Sequence, residues 1–294
     1  MENNNSNAES TNENYNAVKN GQNGINQPTV DGIFSKSTKP NLPLAPAPDA
    51  EVYRKHDIRG TALIFNHKSF SMDYCSTRDG TEKDRDALEE VLKDLKFDVR
   101  TYDDLMYEEI MEVIDVVSKM DHTNSECLLI AVMSHGEDGR IYAKDRTYQT
   151  KKLWSKFSPL HCQSLAGKPK LFFIQACRGD KTDPGVEVSR IDTDSVKSNF
   201  SYSIPVMADF LVMYATVEDY FAWRDPLKGS YFIQALVRQL RQHHVSKDLL
   251  SILTCVNREV AVGFTSNDPN DMEFNRKKQM CSIVSMLTRT YFLN

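Results

Sequence analysis

Two short polar segments each follow a long apolar run, and each carries a residue able to do acyl chemistry. Ser134-His135-Gly136 follows the run at 127–133, and Cys177-Arg178-Gly179 follows the run at 170–176. A thiol is a weak nucleophile while it keeps its proton, and an imidazole within reach can take that proton and activate the sulfur. Attack on a carbonyl also needs donors for the oxyanion that develops. Gly136 lets backbone approach a substrate with no side chain in the way, so its N–H and that of Cys177 can supply two such donors. His135, Cys177 and the Gly136 backbone therefore read as an acyl-transfer site. Taken singly, each has a blander reading, because a histidine after a strand or a buried cysteine is more often plain core.

Periodicity indicates the elements that must position them. Residues 61–66, 127–133, 170–176 and 209–215 read as strands, the second and third as strands buried on both faces. Residues 97–102 read as a further strand. Leu88, Val91, Leu92 and Leu95 keep helical spacing, as do Ile110, Val113, Ile114 and Val117. Thr81 with Asp84 three residues on resembles a capping box at the start of the first of these helices. Further helices are expected over 229–241 and 247–263, with a weak one over 151–157; 281–287 and 291–293 look strand-like. Strands alternating with helices argue for an α/β fold with a mostly parallel sheet and helices on both faces. In such sheets functional residues gather past the carboxyl ends of the strands, so neighbouring parallel strands would place His135 and Cys177 on one edge.

Composition removes several classes of function. The formal charge is −5 and the pI near 5.8, which argues against a nucleic-acid binder and a polybasic membrane anchor. The six cysteines, at 75, 127, 162, 177, 255 and 281, include no C-x-x-C pair, so zinc ribbons, redox pairs and disulfide scaffolds are not expected. No metal or organic cofactor is implied. No apolar run reaches the ~18 residues of a membrane span, and no signal-peptide stretch opens the chain. The expectation is a soluble, cytoplasmic protein. Eleven of residues 1–50 are Asn and five are Pro, leaving few apolar side chains to offset the entropy of ordering. Residues 1–50 are read as an unfolded tail and 51–294 as one catalytic domain. Within it, residues 180–205 lose all periodicity and read as a long exposed loop, a length that is usually functional or disordered.

Gln175-Ala176-Cys177-Arg178-Gly179 matches the pattern Q-A-C-[RQG]-G, with a histidine 42 residues upstream, and on this pentapeptide the chain resembles the caspase family. Agreeing segments are STRDGT at 76–81, MSHGEDG at 133–139, KLFFIQACRG at 170–179, Trp223-Arg224, GSYFIQ at 229–234 and CSIVSMLT at 281–288. The resemblance runs from about Ile58 to the C-terminus and is greatest to animal effector caspases.

It implies a three-layer sandwich around a sheet of about six strands, and cleavage of protein substrates after aspartate during the execution of apoptosis. It puts the aspartate pocket on Arg78, Gln175 and Arg224. Phe221 and Trp223 then wall the next, apolar subsite, and the backbone of Ala222 and Arg224 pairs with an extended peptide. At the outer subsite the sequence departs from the family, with Asp225 where Asn is usual and Tyr231 where Trp is usual. A carboxylate facing a carboxylate repels, so a relaxed or more apolar preference is expected there.

The resemblance further implies a zymogen cut after Asp194, in Ile191-Asp192-Thr193-Asp194, into a large piece of about 32–194 and a small piece of about 195–294. Asp31 is the expected propeptide site, with Asp49 and Asp183 as secondary candidates. The implied partners are a second copy of the chain, paired through the strand at 281–287, an upstream initiator caspase and inhibitor-of-apoptosis proteins. A catalytically inactive caspase-like partner is one alternative. A related peptidase cutting after Lys, Arg or Asn is another, and Arg78 and Arg224 argue against it.

Overall fold

In the computed structural model the structure describes residues 47, 49–137, 139–185, 205–269 and 271–294, and Asp31 and Asp194 lie outside them. The core is a six-stranded sheet. In chain order β1 is Thr61–Asn66, β2 Asp98–Asp103 and β3 Leu128–Met133. A small antiparallel sheet follows, of β4 Gly136–Glu137, β5 Arg140–Tyr142 and β6 Thr147–Gln149. Then come β7 Lys170–Gln175 and β8 Phe210–Tyr214, the two-residue strands β9 Arg224–Asp225 and β10 Gly229–Ser230, and finally β11 Ser282–Ser285. The central order is β11-β8-β7-β3-β1-β2, parallel except for the antiparallel edge strand β11.

Strand alternation sorts the core into two layers. Ala62, Ile64, Leu129, Ala131, Leu171, Phe173, Leu211 and Met213 face one side. They pack on α1 Thr81–Asp94, α3 Tyr231–His243 and α4 Leu249–Gly263. The intervening Leu63, Phe65, Leu128, Ile130, Val132, Phe172, Ile174, Phe210 and Val212 face α2 Tyr107–Ser118 and the 3₁₀ turns at Thr150–Leu153 and Ser155–Phe157. The expected α/β sandwich is what the chain forms. Among the described residues no helix is long and apolar enough to cross a membrane.

Three local expectations need correction. The Thr81–Asp84 capping box does not form. Gly80 is the N-cap, at φ 85° with no side-chain bond, and Thr81 is already helical. Thr81 Oγ1 donates to Asn66 Oδ1, while the buried Asp84 carboxylate accepts the Ser230 N–H from across the fold. The Ser230 donor is fully buried and outcompetes the local cap, because leaving it unpaired costs about 1–3 kcal/mol. Residues 291–293 form an isolated bridge, Asp248 with Phe292, rather than a strand. The aperiodic segment does not begin as free loop either: Lys181 bridges Tyr220, and Asp183 bridges Lys278 with its Oδ1 accepting the Gly185 N–H. Asp183 therefore lies in paired, half-buried chain, which weighs against it as a cleavage point.

Candidate active site

Four parallel strands deliver the chemistry to one edge. β3 and β7 are direct neighbours, with Met133 opposite Gln175, so the segments that follow them, carrying His135 and Cys177, leave the sheet side by side. β1 feeds the loop with Ser76 and Arg78, and β8 feeds the loop with Phe221 to Arg224. A cavity of about 100 Å³ lies between these loops, lined by Arg78, Ser134, His135, Gln175, Cys177, Phe221, Ala222 and Arg224. A larger concavity, about 280 Å³, shares Cys177 as a wall and includes Trp154, Arg178 and Tyr214.

His135 Nε2 lies 2.8 Å from the Ser76 carbonyl oxygen. That oxygen only accepts, so Nε2 carries the proton and Nδ1 is the basic nitrogen. Phe70 packs against the ring at 4.9 Å between centroids and Tyr142 meets it edge-on. Ser76, Phe70 and Tyr142 were not legible as parts of a site. A backbone carbonyl leaves no side-chain signature, and the aromatics sit in unrelated stretches of sequence. Burial lowers the His135 pKa below the ordinary imidazole value, helped by the charges of Arg78 and Arg224. Burial raises that of the Cys177 thiol, although Sγ accepts the Ala222 N–H at 3.5 Å. The resting pair is therefore a neutral thiol and a neutral imidazole. A lowered pKa keeps the base competent to more acidic pH, so the acid limb of kcat/KM, which reports the free enzyme, is expected below pH 6.5. A pH–rate profile on a short peptide checks this; a limb above 6.5 would mean that the ring is held as the cation.

Gly136 keeps a backbone donor available. Tyr142 N–H donates to the His135 carbonyl, which makes Gly136–Ile141 the non-hydrogen-bonded kind of antiparallel pair and leaves the Gly136 N–H outside the ladder. A Cβ on Gly136 would fall 2.5 Å from the Cys177 carbonyl oxygen and 2.8 Å from Ala176 Cβ, so no other residue fits without displacing the thiol's own backbone.

The cavity floor is cationic. Arg78 is 2% exposed and donates to the His67 carbonyl at 2.9 Å and Thr81 Oγ1 at 2.8 Å. Arg224, half-buried, donates to the Asp79 carbonyl. Among the described residues neither forms an ion pair. Burial, followed by the charge of Arg224, holds the Arg78 pKa down to about 9, and burial lowers that of Arg224 as well. Gln175 is 2% exposed and, among the described residues, its Oε1 has no partner. Two guanidiniums without a carboxylate in a low-dielectric cavity form a receptor for an anion, because fork geometry matches a carboxylate.

Phe221 and Trp223 stack edge-on at 5.2 Å, and both rings meet Phe274. Phe264 contacts Trp223 and lies 4.2 Å from Tyr231. Phe264 and Phe274 escaped the sequence reading, since nothing in their spacing ties them to Trp223. Asp225 Oδ1 accepts the N–H groups of Leu227 and Lys228, so this carboxylate is held within its own turn. β9 pairs on one edge with β10. Asp49 is exposed.

Residues 59–292 match the family model described as Caspase domain. The chain is 47% identical to Caspase-1 of Spodoptera frugiperda over 243 residues, covering 83% of this chain and 80% of that one. It is 46% identical to Caspase drICE of Drosophila melanogaster over 82% of this chain and 71% of the other. To Caspase-3 of Oryctolagus cuniculus the identity is 42%, over 79% and 83%. The crystal structure of Caspase-1 from Spodoptera frugiperda superposes with a TM-score of 0.79 at 44% identity, covering 85% of this chain and 97% of that chain.

Proposed function

The chain belongs to the caspase family and is a cysteine-type endopeptidase with an apoptotic role, and from that premise we propose that it cuts protein substrates after aspartate, with Cys177 as nucleophile and His135 as base. The observation that carries this reading is that Arg78 and Arg224, which form no ion pair among the described residues, line the same cavity as Cys177 and His135. The substrate aspartate enters between them with Gln175 beside it. His135 Nδ1 takes the thiol proton as Sγ adds to the scissile carbonyl, and the Gly136 and Cys177 N–H groups hold the oxyanion. The imidazolium then protonates the leaving amine. Water, deprotonated by the same imidazole, hydrolyses the thioester and restores the thiol. Phe221 and Trp223 receive the preceding side chain, and the free edge of β9 takes the peptide backbone at Arg224.

Purified enzyme offered otherwise identical peptides with Asp, Lys or Asn at the cut position tests this. Cleavage only after Asp, lost in Cys177→Ala, supports the reading; cleavage after Lys or Asn overturns it. At the outer subsite Asp225 and Tyr231 disfavour an acidic side chain. In a peptide library, substrates with an apolar residue three positions before the cleaved Asp are expected to match or exceed those with Asp there. A strict Asp requirement would sink this expectation.

Zymogen maturation and assembly belong to the same proposal. Initiator caspases upstream would cut after Asp194, and a cut after Asp31, or secondarily Asp49, would remove the tail. Asp194→Ala is then expected to leave the chain uncut and activation in cells strongly reduced, as fragment N-terminal sequencing alongside activity would read; normal activation would reassign the main site. β11 is an edge strand with Val284 45% exposed, which supports pairing of two copies there. Cytoplasmic action, function in the execution phase and restraint by inhibitor-of-apoptosis proteins complete the reading.

A further inference from the structure

One fully buried carboxylate has no role in the chemistry described so far. Asp84 in α1 is 0% exposed and makes no ion pair among the described residues. Both of its oxygens accept the Ser230 N–H at 2.9 Å, and Oδ1 also accepts Gln234 Nε2 at 2.9 Å. Two of its neighbours, Ser230 and Thr81, connect to the anion receptor. Ser230 is the register partner of Arg224 across β9 and β10, and its Oγ caps α3 by accepting the Ile233 N–H. Thr81, one turn before Asp84 on α1, has the hydroxyl to which Arg78 donates. Gly229, at φ 89°, has no room for a side chain, because a Cβ there would stand 2.3 Å from Asp84 Oδ1.

The chain of contacts thus runs Arg78, Thr81, α1, Asp84, Ser230, Arg224. It joins two segments that lie far apart in sequence on opposite sides of residues 180–205. Among the described carboxylates Asp84 does most to favour the charged forms of both guanidiniums, while burial pushes its own pKa up against the bonds from Gln234 and Ser230 and the charge of Arg78. Its oxygens are spent on Ser230 and Gln234, so it offsets that charge without filling the forks. An arginine-paired carboxylate would instead block the receptor, and no carboxylate at all would leave two like charges in one largely buried cavity.

We propose that Asp84 is a positioning residue for substrate recognition, which sets the spacing of Arg78 and Arg224 and balances their charge in the empty cavity while leaving their donors free for the substrate carboxylate. This inference rests on the Arg78–Arg224 cavity being the aspartate pocket.

The test compares Asp84→Asn and Gln234→Leu with the unmodified enzyme on one peptide ending in Asp. Asp84→Asn keeps the shape but removes the charge and turns one acceptor into a donor facing the Ser230 N–H. Gln234→Leu removes the bond to Asp84 Oδ1 and a longer one, 3.4 Å, to the Lys83 carbonyl; it lies on a half-buried helical face and is expected to fold normally. Hydrogen bonds to charged groups of this kind correspond to KM rising roughly tenfold or more in Asp84→Asn and about threefold in Gln234→Leu. kcat and the rate of Cys177 alkylation by iodoacetamide should stay within about twofold, since the His135–Cys177 pair is untouched. An unchanged KM in Gln234→Leu together with an unchanged or unmeasurable KM in Asp84→Asn overturns the proposal. So does a parallel fall in kcat and alkylation rate, which marks a merely structural role. If the unmodified enzyme does not cut after Asp, it is the pocket assignment itself that fails, and with it this inference; if it does and KM does not move, only this inference falls.

Discussion

Cys177→Ala is expected to abolish peptide hydrolysis, lowering kcat by about four to six powers of ten while the fold stays intact. The sulfur makes only long bonds to the Ala222 backbone, accepting its N–H and donating to its carbonyl, and is half-buried, so its loss should change stability by no more than about 1 kcal/mol. His135→Ala should cost nearly as much. With the thiol pKa raised by burial, little thiolate forms near neutrality unless the imidazole takes the proton during attack. The double variant should then be no slower than either single one, because nucleophile and base act as a unit. Burst-free hydrolysis assays on the three variants, with thermal melts as the folding control, check this. Additive losses would show that His135 contributes something other than activation of Cys177.

Arg78→Met is expected to separate recognition from reactivity. Removing one partner of a buried, charge-assisted contact typically costs about 2–5 kcal/mol, or roughly 30- to 5,000-fold in kcat/KM for a substrate ending in Asp. The effect on stability should be much smaller, because two opposing contributions nearly cancel. The His67 carbonyl and Thr81 hydroxyl lose a donor, yet the empty cavity no longer holds a buried guanidinium without a carboxylate. Arg78→Lys should not rescue activity, since an ammonium lacks the planar fork. Steady-state kinetics with peptides ending in Asp and in Asn measure this, with iodoacetamide alkylation of Cys177 reporting that the reactive pair is unharmed. An Arg78→Met enzyme that still discriminates Asp from Asn would remove Arg78 from the pocket.

The buried strands were legible because period-2 and continuous apolar runs report burial directly. Residues 61–66, 128–133 and 170–175 appear as strands where the apolar runs place them. Helix α1 was legible from Leu88, Val91 and Leu92, which pack on the sheet as their spacing requires. Its start was not, since Asp84 answers a donor 146 residues away instead of its own N-terminus. The short strands β4, β5 and β6 carry too few residues for any period to show. Within the site, His135 and Cys177 stood out because each follows its own apolar run, and Gln175 because it belongs to the pentapeptide around Cys177. Ser76 acts through its carbonyl, and Phe264 and Phe274 join Trp223 only in space.

What the amino-acid sequence determined by itself is therefore the identity of the reactive groups and the family of the fold: a thiol, an imidazole and a glycine placed just after apolar runs that must become neighbouring strands. Residue type and local spacing suffice for that, because nucleophilicity, basicity and burial preference are properties of single side chains and short runs. Tertiary structure alone decided the tautomer of His135, the upward shift of the thiol, the lack of an ion pair to Arg78 or Arg224 among the described residues, and the placing of Asp84 behind them. Each of these depends on a hydrogen bond or a field between groups distant in sequence, and in a low-dielectric interior such long-range partners outweigh local preference.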